Sequence, residues 1–123
     1  MFGFGKRKTD DTWPVKIVGR RKKRELFVAF HNGESGTIEA ELLRVLSPSA
    51  ESKGHGSHSN ILVYGKENVS IHNLEPVGNY AVRIIFDDGH ETGLYTWSFL
   101  LYLLRNKKEC WKSYRDRLKT YLL

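Results

Sequence analysis

The sequence predicts an α+β fold: one small domain of mainly antiparallel strands, built as two similar strand–turn–strand–helix halves plus a C-terminal helix. Three observations predict it. Short apolar runs end in hairpin turn residues, Asn32-Gly33 and Asp88-Gly89. The same order of elements occurs twice, with Phe30-x-x-Gly33 matching Phe86-x-x-Gly89 at an offset of 56 residues (89 − 33). The final stretch repeats apolar residues at steps of three and four, the period of a helix. Two hairpins can shield each other's apolar faces, which one hairpin alone cannot do.

The elements follow in order. Residues 1–12 read as a flexible basic tail, with glycines, charges and no periodicity. The folded domain is expected over 13–104. Pro14 biases Trp13 to extended backbone, and Val15, Ile17 and Val18 suggest a first short strand. Arg20 to Arg24 is an unbroken basic run, read as a solvated hairpin turn or sheet edge. Leu26–Phe30 is a strand, Gly36–Ala40 its partner, and 41–46 a short helix ending before Ser47-Pro48. Ser47 to Asn60 is a loop by composition. Ile61–Tyr64 and Val69–His72 are candidate strands, and Glu75–Tyr80 is expected to form a shaped connection around Pro76 and Gly78. Tyr80–Phe86, a turn, Leu94-Tyr95 and a helix over Trp97–Leu104 repeat the first half. Residues 105–123 hold a C-terminal amphipathic helix, with Trp111, Tyr114, Leu118, Tyr121 and Leu122 on one stripe.

The net charge of +6 is unevenly placed. Residues 1–24 hold nine basic and two acidic residues (+7), residues 25–104 four and ten (−6), residues 105–123 seven and two (+5). The body of the domain is thus acidic and its ends are basic, so a basic stripe across the folded face, the usual mark of a nucleic-acid binder, is not expected. No apolar run reaches the roughly 18 residues that span a bilayer. The opening residues lack the pattern of a secretion signal, so a cytoplasmic location is expected, and the lone Cys110 fits a reducing compartment.

Enzymatic motifs are missing. Gly33-Glu-Ser35-Gly36 is not a nucleophile elbow. No phosphate-binding Gly-x-x-x-x-Gly-Lys-Ser/Thr loop occurs. Asp87-Asp88-Gly89 after an apolar strand is turn chemistry before it is a catalytic pair of carboxylates.

Two segments carry a resemblance. They are Leu42-Leu-Arg-Val-Leu-Ser-Pro-Ser-Ala-Glu51, continuing to Gly54-His-Gly56, and Asn73-Leu-Glu-Pro-Val-Gly-Asn-Tyr80, continuing through Phe86-Asp-Asp-Gly-His90 to Thr92-Gly-Leu-Tyr-Thr-Trp97. Both resemble the gamma-butyrobetaine hydroxylase-like N-terminal domain family, over roughly residues 14–104. This chain is similar to the stand-alone, bacterial-type members of unknown function. The resemblance implies an accessory domain, with a link to iron–sulfur or cofactor maturation. In the hydroxylases the domain precedes a catalytic barrel and holds zinc through Cys-Pro-Cys-x-x-Cys and a histidine. The matching positions here are Ser47, Ser49 and Ser52, with His90 in the second hairpin. A serine hydroxyl stays protonated near neutral pH and is a poor zinc ligand.

Three functions therefore stand as expectations. The first is a non-catalytic domain that docks an unidentified protein partner, with Glu75, Asn79, Tyr80, Tyr95 and Trp97 as a recognition surface. The second is a zinc or iron site of His90, His55 and His58, because imidazole suits both metals. The third is polyanion binding by the basic ends. No membrane partner and no cofactor are expected.

Overall fold

The structure, a computed structural model, describes residues 2–3, 13–48 and 62–122. Strands β1 (Phe2–Gly3), β2 (Pro14–Arg20), β3 (Glu25–Phe30) and β4 (Ser35–Glu39) form one antiparallel sheet in chain order. Helix α1 (Ala40–Val45) follows. Strands β5 (Ile71–Val77), β6 (Ala81–Phe86) and β7 (Leu94–Thr96) form a second antiparallel sheet, followed by helices α2 (Trp97–Arg105) and α3 (Lys107–Leu122). The chain is a single α+β domain, and the two-half repeat is real.

Alternation builds the core. Leu26, Val28 and Phe30 point inward from β3, and Val82, Ile84 and Phe86 do so from β6. Leu42 and Leu43 of α1 and Leu100, Leu101 and Leu103 of α2 complete one cluster shared by both sheets. Each leucine or isoleucine buried in this way contributes on the order of 2 kcal/mol.

The halves match at atomic level. In the first turn the Gly33 amide donates to Phe30 O at 3.0 Å, and the Phe30 amide to Glu34 O at 2.8 Å. In the second, Gly89 donates to Phe86 O at 3.1 Å, and Phe86 to His90 O at 2.9 Å. Gly33 and Gly89 adopt φ of 92° and 94°, which a side chain would oppose. Asn32 Oδ1 accepts from the Glu34 amide at 2.8 Å, and Asp88 Oδ1 from the His90 amide at 3.0 Å. The first residue of each helix also matches: the Ala40 amide donates to Arg24 O at 2.8 Å, and the Trp97 amide to Tyr80 O at 3.2 Å.

Three expectations change. Residues 62–64 are not a strand; Ile61 lies outside the described residues. The strand expected at Val69–His72 starts later, at Ile71, and runs to Val77, absorbing Glu75 and Pro76. Pro76 pairs with Val82 there. Strand β5 is at a sheet edge, where one row of backbone groups needs no partner and proline is tolerated. The shaped connection shrinks to residues 78–80.

Helix α3 packs mainly through its first half, with Leu118 further along half-buried. Cys110 and Tyr114 are buried, and Trp111 donates from Nε1 to Glu39 Oε1 at 3.2 Å. Tyr121 and Leu122 of the expected stripe are exposed, with the Tyr121 ring beside Tyr64. No helix among the described residues is long and apolar enough to cross a membrane.

Candidate functional site

The turn between β6 and β7 closes onto the end of α1. Ser47 Oγ and His90 Nε2 share a hydrogen bond of 2.9 Å, and both residues are half-buried. Two of the positions singled out in the sequence thus meet. Ser49, Ser52, His55 and His58 lie outside the described residues.

Asp88 fixes this turn. Its Oδ2 accepts from Arg44 Nε at 2.9 Å and pairs with Lys66 Nζ at 2.8 Å, while Oδ1 takes the His90 amide. Burial alone would raise the carboxyl's pKa. The Lys66 ammonium, the His90 amide and the Arg44 guanidinium outweigh burial and hold it at about 2. Below the dyad, the buried Tyr95 hydroxyl donates to Leu43 O at 2.5 Å. Burial pushes its phenol far above the ordinary value, against smaller opposing effects of Ser47 and Arg44. Gly93 completes the cluster. A Cβ there would land on Ser47 Oγ and lie 3.0 Å from Tyr95 Cε1. Only a residue without a side chain lets β7 approach the end of α1.

Chemically, Ser47 and His90 have the spacing of a nucleophile and base. Their surroundings argue against that role. Asp88, two residues before His90, is committed to Arg44, Lys66 and a backbone amide, so it does not orient the imidazole. The Gly93 backbone lies close against Oγ. Nor does the described donor set, one hydroxyl and one imidazole, fit the zinc that the family implies. Among the described residues no group of three or more His, Cys, Asp or Glu side chains could hold a metal. The arrangement is a polar join between the halves.

The recognition surface expected around Tyr80 is only partly on the surface. Tyr95 is fully buried and Trp97 is 4% exposed, so neither can touch a partner; the Trp97 ring packs edge-on against Trp13 at 6.2 Å. Sequence alone could not separate these aromatics from Tyr80, because burial is set by how the two sheets assemble and not by the local residues. Asn79 is exposed, and Glu75 is half-exposed and paired with Arg83 at 3.1 Å. Tyr80 is 52% exposed. Its turn is held from beneath: Trp97 Nε1 donates to Asn79 O at 2.9 Å, and the Trp97 amide to Tyr80 O. Gly78 turns at φ 54°, with the Tyr80 ring against its Cα. Two hollows lie along α3, one of them bordered by Leu62, Cys110 and Tyr114, and neither touches Ser47, His90 or Tyr80.

Arg44, Lys66 and Gly93 were missed as parts of the site. Gly93 had a signal: it follows the second turn at the place where Gly36 follows the first, one residue off the 56-residue repeat (93 − 36 = 57).

Fold and site together define a small α+β domain of two fused hairpin–helix units whose described residues make a structural polar join. The family profile "Gamma-butyrobetaine hydroxylase-like, N-terminal" matches residues 17–101, and the chain belongs to that family. Similar solved structures agree. A crystal structure of a protein of unknown function from Acidithiobacillus ferrooxidans, of the DUF971 family, is 36% identical. The match covers 78% of this chain and 98% of that one, with a TM-score of 0.66. Two proteins solved by NMR are 44% and 40% identical, with TM-scores of 0.79 and 0.77. The first match covers 98% of this chain and 89% of that one; the second covers 88% and 85%. No curated protein matches the chain.

Proposed function

We propose that the chain is a non-catalytic accessory domain that docks a partner protein through the Asn79–Tyr80 turn. The observation that carries this is an exposed tyrosine on a rigid mount. Tyr80 is half out in solvent, yet its own carbonyl and that of Asn79 are both hydrogen-bonded to the buried Trp97. An aromatic side chain held this way presents a large contact area at little ordering cost, the usual property of an interface anchor. The family resemblance directs the search for that partner towards iron–sulfur or cofactor maturation.

The test is quantitative capture from a host lysate with wild type and Tyr80→Ala. A specific partner should be enriched by wild type and lost by at least about tenfold with Tyr80→Ala, the effect of removing one strong aromatic anchor. Equal recovery with both proteins, or no partner above background, would overturn the proposal.

A further inference from the structure

The turn between β2 and β3 is built against its own backbone preference. Its closing hydrogen bond runs from the Arg24 amide to Arg21 O at 3.1 Å, and Arg24 adopts φ 52°. This is the only positive φ at a non-glycine position among the described residues. The other hairpin turns that need a positive φ use glycine: Gly33, Gly78 and Gly89. Glycine or asparagine would relieve the backbone at position 24. An arginine held there instead suggests that its charge has a use.

The rest of the turn is ordered and under-neutralised. Arg20 lies over the Phe27 ring at 4.9 Å and pairs with Glu25 at 3.0 Å. Arg21 donates from Nη2 to His72 O at 2.8 Å. From beneath, Ser70 Oγ donates to Arg21 O at 2.7 Å, and the Ser70 amide donates to Asp87 Oδ1 at 3.0 Å, which ties the turn to the second half. Of the five basic residues, Arg20 alone has a carboxylate partner among the described residues. Residues 21–24 are all exposed. The charges are therefore concentrated on a fixed frame, which keeps the ordering cost of binding low.

We propose that the Arg20–Arg24 turn is a docking site for a short acidic peptide segment of a partner protein. This adds a second contact surface to the interaction role proposed above and rests on that reading. The size and setting of the patch select a peptide over a nucleic acid. The footprint is one turn, and residues 25–104 of the chain carry a charge of −6, which repels a long polyanion. The Phe27 ring at the turn is covered on one face by Arg20, which leaves less of it for a base to stack on. The site is also separate from Tyr80. Arg21 bonds to the second residue of β5, whereas the Tyr80 turn follows the last, so the two surfaces stand at opposite ends of that strand.

The experiment is fluorescence anisotropy of a labelled Glu/Asp peptide of about ten residues, and separately of an oligouridylate of similar charge, at matched ionic strength. The proteins are wild type, K22E/K23E, Arg24→Gly and Tyr80→Ala, each with a thermal melt. Wild type should bind the peptide, and K22E/K23E should weaken it at least about tenfold. Arg24→Gly should weaken it about threefold while melting no lower than wild type, because glycine relaxes the turn as it removes the charge. Tyr80→Ala should bind the peptide like wild type. The inference is overturned by equal peptide affinity in wild type, K22E/K23E and Arg24→Gly, by tighter binding of the oligouridylate than of the peptide, or by no peptide binding at low salt. If Tyr80→Ala alone abolishes peptide binding, the basic turn is not the site, while the Tyr80 surface stands.

Discussion

The two halves share a hydrogen-bond frame and differ in what they mount on it. Both central turns use an amide side chain or carboxylate, a glycine at positive φ and the same pair of backbone hydrogen bonds. Each turn then reaches across to the end of the other half's helix. In the first half, Glu34 grips Arg105 through a two-point ion pair at the surface. In the second, His90 meets Ser47 in a half-buried contact, and Asp88 gathers Arg44 and Lys66. The glycines that follow obey the same rule: Gly36 sits against Leu104 and Gly93 against Ser47. The two halves share the geometry, and the residues on it form one exposed clasp and one more sheltered clasp. The difference makes the second clasp the more sheltered of the two. It also leaves the outer turns, Arg20–Arg24 and Gly78–Tyr80, free to carry binding chemistry.

If the sheltered clasp matters more, substitutions there should cost more than their counterparts in the first half. The largest effect is expected for Gly93→Ala, at about 2–3 kcal/mol of stability, because the new methyl group displaces Ser47 Oγ and presses on Tyr95. Its counterpart Gly36→Ala should cost about 1 kcal/mol or less, because the neighbour is the mobile end of Leu104. Chemical denaturation of both variants checks the ordering, and an equal cost would break the comparison.

Asp88→Asn comes next, at up to about 2 kcal/mol near neutral pH. Its sign with pH is defined. A carboxyl held at about 2 in the folded chain, below its ordinary 3.8, contributes fully above the ordinary value, and that contribution is lost as pH falls towards 2. The gap between wild type and Asp88→Asn should therefore close between about pH 4 and pH 2 in acid melts. Tyr95→Phe should cost about 1 kcal/mol, since it strands Leu43 O in the core. Glu34→Gln should shift the melting temperature least. Arg105 lowers the Glu34 pKa, but the pair is solvated, and solvated pairs contribute little. Adding one equivalent of zinc to untagged protein should leave the melting temperature unchanged, because a ligand held by the folded state alone must raise it.

Much of this was legible in the chain itself. Period-two runs with Asn32-Gly33 and Asp88-Gly89 give the central hairpins, and the helical step gives α3 at Lys107–Leu122. The repeat places the strands of both halves. What was not legible depends on contacts between distant residues. Pro76 reads as a break, yet β5 passes through it because its strand is at an edge. Trp97 and Tyr95 read as surface anchors because burial is a property of the assembled sheets and not of a local run. The Ser47–His90 contact joins residues 43 apart (90 − 47), and only the family resemblance paired them. The strain at Arg24 leaves no trace in a basic run, because charge patterning does not reveal φ.

The most direct test compares the sheltered clasp with the Tyr80 mount in one capture experiment, using wild type, Ser47→Ala and Tyr80→Ala at a temperature where all three are folded. The account predicts that Ser47→Ala melts lower yet keeps the partner, whereas Tyr80→Ala melts like wild type and loses it. Loss of the partner with Ser47→Ala and retention with Tyr80→Ala would make the Ser47–His90 pair the working site and contradict the account.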